Sequence, residues 1–318
     1  MKQSFSIIIP VYNRPNEIDE LLESLTKQDF TGYFEVLIIE DGSTVKSDII
    51  VEKYKSKLNL NYLFKENSGA GASRNYGMEN ALGNYFIILD SDVIVPKQYL
   101  SEVKKGLDTK YTAAFGGPDT AHPSFTPLQK AINYAMTSIL TTGGIRGKKK
   151  AVGEFQPRSF NFGLSKIAFE KTQGFSKMKN GEDIDLTFRL WENGFDTQLL
   201  DKAFIYHKRR SSLQEFFTQT YGFGSARPIL NEKYPETAKL FYWFPSLFII
   251  GFDSSIIAAF FDYPHALFVF LWYLLFVFLD AFIHNRNLKV ALLSIVAVYT
   301  QFAGYGLGYL KAQLLSKR

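Results

Sequence analysis

The sequence predicts an α/β fold with a mostly parallel sheet, followed by C-terminal transmembrane helices. Short runs rich in β-branched and aromatic residues alternate with helix-like segments from residue 5 to about residue 206. This alternation is typical of parallel strands joined by crossover helices. Three long apolar stretches then follow one another, at residues 244–261, 266–282 and 290–310. Each has about the length that a helix needs to cross a bilayer.

Four strand-like runs and the helices between them predict the first half of the sheet. The strands are expected at residues 5–9, 36–39, 61–64 and 85–89. The intervening helices are expected at residues 17–28, 48–57 and 72–81, the first with Asn16 as its N-cap. Because parallel strands end at the same edge of a sheet, the polar loops after them should line one ligand-binding crevice.

A looser segment at residues 118–158, with a helix near 128–140, separates these runs from a second structured block. That block predicts strands near 160–164, 197–200 and 204–206, and a helix at 183–192 that Gly194 ends. A basic amphipathic helix at 211–221, which Ser212 and Glu215 can cap, suits the membrane surface. A helix that faces a protein core is the alternative.

The three apolar stretches favour a membrane domain. Residues 241–285 contain three acids and no lysine or arginine. Buried helices of a soluble domain are the alternative, although three such stretches in succession are rare in soluble folds. The first stretch holds Pro245, Gly251 and Asp253, so it could be re-entrant or lie in the interface. We therefore expect a membrane domain of two to three helices.

Composition excludes several classes of site and partner. The 318 residues include no cysteine, which excludes disulfides, thiol catalysis and thiolate metal sites. The net charge is +5, and basic residues cluster at 146–150 and 208–210. These clusters suit anionic lipid headgroups or a solvated loop, and no nucleic-acid-binding motif accompanies them, so nucleic acid is not an expected partner. The N-terminus lacks the apolar core of a signal peptide, which predicts that residues 1–240 stay in the cytoplasm.

Two acids, Asp90 and Asp92, come directly after the apolar run at 85–89. Carboxylates at the carboxyl end of a buried strand face the crevice where open α/β sheets bind ligands. Hard oxygen ligands in that place suit Mg²⁺ or Mn²⁺ carrying a diphosphate. A solvated turn is the alternative, and the same Asp-x-Asp pattern recurs at Asp183 and Asp185.

Three further loops follow predicted strand ends. They contain Pro10 to Arg14, Glu40 to Ser43, and Asn67 to Asn75. Asp41 can accept hydrogen bonds from a base or a ribose, and Arg74 can pair with phosphate or base oxygens. Glycines such as Gly71 allow close backbone approach. Each loop alone could be ordinary turn chemistry, so their joint placement at one sheet edge carries the prediction.

Glu182 and Asp183 stand at the start of a predicted helix. Acids there complement the helix dipole, and Asp185 fits that interpretation equally well. The functional interpretation is a general base held above a sugar site.

In combination these motifs resemble glycosyltransferase family 2, over about residues 4–210. The resemblance implies the A-type nucleotide-sugar transferase fold, with Asp183 as catalytic base and His207 completing a metal site with Asp92 and Asp90. Mg²⁺ or Mn²⁺ is the implied cofactor. The implied nucleotide-sugar-binding residues are Pro10, Tyr12, Arg14, Asp41, Gly71, Arg74, Asp90 and Glu182.

The sequence departs from the family pattern in three places. Glu40 stands where Asp is more usual, and Ser73 where Ala is usual; neither change removes a needed group. The Gln-x-x-Arg-Trp motif of processive synthases is absent, and Gln219-x-Tyr221 stands in a comparable place. A transferase that adds a single sugar is therefore favoured over a processive synthase.

The resemblance implies an inverting, metal-dependent transferase that moves a sugar to a lipid-linked glycan in surface polysaccharide synthesis, with a UDP-sugar favoured over a GDP-sugar. A polyprenyl-phosphate glycosyltransferase and a non-catalytic nucleotide-sugar-binding subunit are the alternatives. Three segments are expected: a cytoplasmic catalytic domain at 1–210, an amphipathic interfacial helix with its linker at 211–239, and a membrane domain at 240–318 in contact with membrane lipids of the cytoplasmic membrane.

Overall fold

The computed structural model describes residues 3–143 and 155–315. The contacts within the chain define two compact units. The first comprises Met1–His122 and Arg146–Lys208, and the second comprises Pro123–Ile145 and Arg209–Arg318. The predicted basic cluster at 146–150 lies outside the described residues.

Seven of the ten strands in the described residues form the main sheet of the first unit. In chain order the strands are β1 (Phe5–Val11), β2 (Phe34–Asp41), β3 (Leu60–Lys65), β4 (Tyr85–Leu89), β5 (Val93–Ile94), β6 (Ala114–Gly116), β7 (Asp119–Thr120), β8 (Asn161–Ser165), β9 (Thr197–Leu199) and β10 (Ile205–His207). The main sheet has the order β3-β2-β1-β4-β8-β6-β9. The first four of these are parallel, β8 is antiparallel to both of its neighbours, and β6 and β9 are parallel. The predicted mostly parallel α/β sheet is confirmed.

Twelve α-helices lie in the described part of the chain. They are α1 (Pro15–Leu25), α2 (Asp48–Glu52), α3 (Ala70–Glu79), α4 (Tyr99–Thr109), α5 (Pro127–Thr137), α6 (Ile139–Thr142), α7 (Lys166–Thr172), α8 (Glu182–Glu192), α9 (Leu213–Lys233), α10 (Phe244–Ala259), α11 (His265–Asn285) and α12 (Leu288–Leu315). The prediction that Asn16 caps the first helix is wrong, because α1 already begins at Pro15 with Arg14 as its N-cap. Proline is well suited to a first helical turn, where its missing N–H costs no hydrogen bond. The second helix is shorter than predicted and ends at Glu52.

Both faces of the main sheet are buried, which explains why its central strands are apolar at almost every position. Along β1, Ile7 and Ile9 belong to a core that includes α1 and α4. Ile8 belongs to the core on the opposite face, which includes α3 and α8. Side chains of a strand alternate between faces, so one apolar run supplies both cores.

The strand order places a topological switch point between β1 and β4. The chain adds β2 and β3 on one side of β1 and then returns to add β4 on the other side. Ligands of open α/β sheets bind in the crevice outside the strand carboxyl ends at such a point. Arg14 follows β1, and Asp90 and Asp92 follow β4, so the fold brings these side chains to that crevice.

In the second unit, α9 packs closely along α12. A Cβ added at Gly304 would overlap the Thr220 side chain, and one added at Gly308 would overlap the Tyr221 carbonyl oxygen. Small residues let helix backbones approach in this way. The predicted amphipathic helix therefore continues to Lys233 and has a protein-facing side, while its predicted place at a membrane surface stays a prediction.

Three helices of the described chain are long and apolar enough to cross a membrane by length and composition. They cover Leu240–Ala259, His265–Asn285 and Leu288–Leu315. Much of their apolar surface is exposed, including Leu247, Trp272 and Phe276. Exposed apolar surface on this scale is compatible with lipid contact.

Residues 123–145 group with these C-terminal helices. Ala131, Ile132 and Ala135 of α5 share an apolar core with residues of α11 and α12. The Tyr134 hydroxyl donates to Asp280 Oδ2 at 2.7 Å, and the Tyr273 hydroxyl donates to the Leu140 carbonyl oxygen at 2.9 Å. The predicted catalytic domain at 1–210 included residues 123–145. In the structure, the contacts of this segment lie with the second unit.

Candidate active site

Asp90 and Asp92, which follow β4, each form an ion pair with an arginine. Arg14 Nη1 lies 2.8 Å from Asp92 Oδ2, and Arg74 Nη2 lies 2.8 Å from Asp90 Oδ1. The Asp92 and Asp90 side chains retain only 14% and 28% of their exposure. These acids are therefore part of a charged cluster at the sheet edge, which a merely solvated turn would not form.

A small three-stranded sheet brings His207 to this cluster. Its order is β5-β10-β7, and His207 pairs with Val93, the residue that follows Asp92. His207 Nε2 lies 3.2 Å from Asp92 Oδ1, and Nδ1 lies 3.3 Å from Asp119 Oδ2. Asp119 escaped the sequence analysis because only the pairing of β7 with β10 brings it near His207.

The arrangement fits a divalent cation. One ligand atom each from Asp90, Asp92 and His207 lies within 4.8 Å of the other two. Two carboxylate oxygens and one imidazole nitrogen are ligand atoms that Mg²⁺ and Mn²⁺ accept. The three residues that the family resemblance assigns to metal binding are thus adjacent.

Arg74 is the buried centre of the cluster. Its guanidinium lies between two acids, with Nη1 2.9 Å from Glu182 Oε1 and Nη2 on Asp90. It also lies over the Phe175 ring, 5.2 Å from the ring centroid. Burial acts to lower the pKa of Arg74, but the charges of Asp90 and Glu182 outweigh it and raise that pKa. Arg74 is therefore a permanent cation that links the loop after β4 to the start of α8.

The two acids at the start of α8 have different surroundings. Burial and the nearby Asp183 raise the pKa of Glu182, while Arg74 opposes this shift. Asp183 is partly exposed; its Oδ1 accepts a bond from the Ile184 N–H at 2.8 Å, and its Oδ2 accepts one from the Ser159 N–H at 3.2 Å. These bonds orient the Asp183 carboxylate, and the carboxylate still has lone pairs for an acceptor.

The second Asp-x-Asp pattern has a structural role. Asp185 is fully buried and pairs with Arg189 Nε at 3.0 Å. Arg189 in turn donates to the carbonyl oxygens of Thr172 and Gly174. Asp185 thus joins α8 to the end of α7.

Asp41 lies at the end of β2 and holds the glycine loop that follows β3. Its Oδ1 lies 2.6 Å from Lys65 Nζ and accepts from the Ser68 N–H, and its Oδ2 accepts from the Gly69 N–H at 2.9 Å. Burial would raise the pKa of Asp41, but Lys65 and the backbone donors outweigh it and lower that pKa. Lys65 was not among the predicted site residues, yet it forms an ion pair with Asp41 Oδ1.

Glu40, the departure from the family pattern, is fully buried. Its carboxylate accepts bonds from the Ser43 and Ser47 side chains and, at 3.1 Å, from the Tyr62 hydroxyl. The longer side chain reaches these partners from within β2 and closes the loop at 42–47. Glu40 therefore shapes the loop that follows Asp41.

The remaining predicted residues differ in their surroundings. Pro10 is buried within β1 and pairs with Ile39, while Tyr12 just beyond it is 52% exposed. A Cβ added at Gly71 would lie 3.3 Å from the Ser176 carbonyl oxygen, which is a tight contact. Ion pairs join Arg14 and His207 to Asp92 and join Asp90 and Glu182 to Arg74. Asp90 also lies near Asp92 and His207. The nucleotide-binding roles of all of these residues stay predictions.

Removing the Arg74 charge should destabilise the first unit. Arg74→Met would leave Asp90 and Glu182 without their buried cation, which we expect to lower the free energy of unfolding by about 3 to 5 kcal/mol. Thermal unfolding in detergent measures the change. The matched control is Lys27→Met, which breaks an exposed pair with Glu23 and should cost well under about 1 kcal/mol. Equal effects of the two substitutions would contradict a central role for Arg74.

Comparison with known proteins agrees with this geometry. The profile of glycosyl transferase family 2 matches residues 6–175, which is more than half of the chain. The chain belongs to glycosyltransferase family 2. The match includes the loops with Arg14, Asp41, Arg74, Asp90 and Asp92, and it ends before Asp183 and His207.

Curated relatives of the enzyme share segments of it. Poly(ribitol-phosphate) beta-N-acetylglucosaminyltransferase TarS of Staphylococcus aureus is 40% identical over 111 residues, which cover 34% of this chain and 19% of TarS. Chondroitin synthase of Pasteurella multocida is 27% identical over 72% of this chain and 27% of its own length. Succinoglycan biosynthesis protein ExoA of Rhizobium meliloti is 25% identical over 70% of this chain and 68% of its own length. The matched part is thus about a fifth of TarS, and two of these relatives are named for polysaccharide synthesis.

Solved structures show the same fold. Mannosyltransferase PcManGT from Pyrobaculum calidifontis, in complex with GDP-Man and Mn²⁺, has a TM-score of 0.60 at 16% identity and covers 100% of this chain and 89% of its own. Residues 1–349 of Staphylococcus aureus TarS, in complex with UDP-GlcNAc, have a TM-score of 0.51 at 21% identity and cover 98% of this chain and 92% of their own. The predicted A-type transferase fold is confirmed.

Proposed function

We propose that the enzyme is an inverting, metal-dependent glycosyltransferase that moves a sugar from a nucleotide-sugar donor to a hydroxyl of a glycan acceptor. The observation that carries the proposal is the cluster of Asp90, Asp92 and His207 beside Arg74, at the switch point of the sheet. A donor diphosphate needs positive charge beside this cluster. The general base must lie on the side of the sugar opposite the diphosphate. Glu182 and Arg74 connect the cluster to the start of α8, where Asp183 lies.

In this proposal Asp90, Asp92 and His207 would hold a divalent cation, which would supply Lewis-acid stabilisation to the leaving diphosphate. Arg14 and Arg74 are the chain's own cations beside that site. Asp183 takes the proton of the acceptor hydroxyl, and the acceptor oxygen forms a bond to the anomeric carbon. The bond from that carbon to the diphosphate oxygen breaks, the nucleoside diphosphate leaves, and the anomeric configuration inverts.

For the donor we propose a UDP-sugar. The relative with the highest identity among those compared above is an N-acetylglucosaminyltransferase, and its structure is solved with UDP-GlcNAc. PcManGT is solved with GDP-Man, so a GDP-sugar is the outcome to test against. For the acceptor we propose a lipid-linked glycan of a surface polysaccharide, because one chain carries both the transferase fold and helices long enough to enter a membrane.

A transfer assay tests this proposal. The full chain in detergent is given UDP- and GDP-sugars in turn, with a lipid-linked glycan or a polyprenyl phosphate as acceptor. We expect nucleotide release that depends on one UDP-sugar and on the glycan acceptor, and a product whose anomeric configuration, measured by NMR, is opposite to that of the donor. Retention of configuration would refute inversion. Transfer to polyprenyl phosphate alone would refute the glycan acceptor, and binding without transfer would show a non-catalytic subunit.

We further propose that α10–α12 anchor the enzyme in the cytoplasmic membrane, with the first unit on the cytoplasmic side. Their exposed apolar surface supports the anchor.

Removal of the chain after Tyr234 should give a protein that aggregates or needs detergent. It would expose the apolar faces of α5 and α9 that pack on α12, including Ala131, Ile132 and Phe216.

Size-exclusion chromatography without detergent measures this effect of truncation. We expect the shortened protein to aggregate or to need detergent, with the full chain in detergent as the reference. A monodisperse, folded protein without detergent would contradict the packing of α5 and α9 as an obligate part of the second unit.

A further inference from the structure

The contact between Asp119 and His207 has a chemical consequence for the proposed metal site. Asp119 Oδ2 lies 3.3 Å from His207 Nδ1, and the other ring nitrogen, Nε2, lies 3.2 Å from Asp92 Oδ1. The ring therefore stands between two carboxylates of unequal burial. The Asp119 side chain is 1% exposed, and the Asp92 side chain is 14% exposed.

We infer that Asp119 is the positioning residue of the metal site: it accepts the Nδ1–H of His207 and so directs the Nε2 lone pair toward the cation that Asp90 and Asp92 hold. The inference rests on the proposed metal dependence and deepens it. A neutral imidazole carries one N–H, and the partner of that N–H decides which nitrogen is left to bind a metal. A carboxylate in this place also raises the basicity of the ligand nitrogen and fixes the ring plane.

Strand pairing brings the Asp119 and His207 segments together. β7 pairs with β10 in parallel, with Asp119 opposite Ile205, and β10 pairs with β5, with His207 opposite Val93. The small sheet therefore places the strand that carries His207 between the strand that carries Asp119 and the strand that follows Asp92. The order Asp119, His207, Asp92 follows from strand pairing and does not depend on long flexible side chains.

The turns before these two strands are also fixed. A Cβ at Gly117 would overlap the Ala203 carbonyl oxygen, so the chain segments leading to β7 and β10 touch at their backbones. The same carbonyl accepts a bond from Asn161 Nδ2 at 2.9 Å, and Asn161 Oδ1 accepts from the Tyr99 hydroxyl at 2.6 Å. The His207 ring itself contacts the Phe160 ring at a centroid distance of 4.9 Å.

In a purely structural role, a ring with a proton on each nitrogen would donate to both Asp119 and Asp92, whereas a metal ligand keeps its Nε2 lone pair for the cation. With Nδ1–H bound to Asp119, the Nε2 lone pair faces a carboxylate oxygen at 3.2 Å. Two electron-rich atoms at that distance are stabilised by a cation that both of them contact. The geometry thus points to metal binding as the reason for this orientation of the ring.

The test is Mn²⁺ affinity of the full chain in detergent, measured by electron paramagnetic resonance. We expect Asp119→Asn to weaken Mn²⁺ binding by about 10- to 100-fold. His207→Gln should weaken it at least as much. Because Asp119 acts through His207, the double variant should bind Mn²⁺ about as weakly as His207→Gln alone.

Glu35→Gln is the matched control. Glu35 is a fully buried acid of the main sheet that lies near the amino end of β2. It accepts bonds from Ser6 and Leu82. This variant should change the melting temperature and leave Mn²⁺ affinity at the parental value. Parental affinity in Asp119→Asn, or additive losses in the double variant, would overturn the inference while leaving the metal site in place. Absence of Mn²⁺ binding by the parent would overturn the proposed metal site itself.

Nitrogen NMR gives a second measurement that needs no Asp119 variant. The chain has four histidines, and the signals lost in His207→Gln identify His207. With Mg²⁺ bound to ¹⁵N-histidine-labelled parent, we expect Nδ1 to carry the proton and Nε2 to be the unprotonated ligand nitrogen. The opposite tautomer would overturn the inference.

Discussion

Asp183→Asn should lower turnover by about 10²- to 10⁴-fold while leaving donor affinity near the parental value. Asn keeps an oxygen that can accept the Ile184 N–H, which Asp183 Oδ1 accepts at 2.8 Å, so the start of α8 should stay intact. The amide cannot take a proton from an acceptor hydroxyl. Turnover and donor affinity are measured on the same purified protein.

Glu182→Gln is the companion variant. It removes a buried acid that pairs with Arg74, so it should disturb donor binding and stability more than the chemical step. If Asp183 only complements the helix dipole, its loss should cost about 1 kcal/mol or less and turnover should persist. A stable Asp183→Asn protein with near-parental turnover would rule out the general base.

Asp92→Asn should remove most metal-stimulated turnover. Asp92 is the side chain that contacts both Arg14 and His207, so the substitution removes a charged ligand from the centre of the cluster. A Lewis acid contributes several kcal/mol to the stabilisation of developing charge, which corresponds to about 10²-fold or more in rate. Turnover is followed as a function of Mn²⁺ and of Mg²⁺ concentration.

Asp185→Asn is the matched control for Asp92, because it alters the other Asp-x-Asp pattern of the chain. Asp185 pairs with Arg189 inside the core, so its loss should lower the melting temperature without changing the dependence of turnover on the metal. If Asp92→Asn retained the parental metal dependence, Asp92 would not be a ligand.

Sequence reasoning found the elements whose signals are local. The strand at Tyr85–Leu89 has its predicted bounds, because a strand that is buried on both faces is an uninterrupted apolar run. The two acids after it could therefore be placed at the sheet edge from the sequence alone. The three apolar C-terminal helices could also be predicted, because their length and apolar composition are properties of the local sequence.

The features that sequence reasoning missed depend on tertiary contacts. Asp119 and Lys65 become part of the site only because β7 pairs with β10 and because Lys65 reaches Asp41 from the neighbouring strand. Short strands such as β5 and β7 carry no periodicity that could be read. In the same way, nothing local shows that α5 packs on α12, far away in the sequence.

The central claim is that the cluster of Asp90, Asp92 and His207 works with a divalent cation to release nucleotide from a sugar donor. Its most direct test is donor-dependent nucleotide release by the full chain in detergent, measured before and after a chelator and again after Mn²⁺ or Mg²⁺ is restored. We predict that release stops with the chelator and recovers with the metal. Undiminished release in excess chelator would contradict the account.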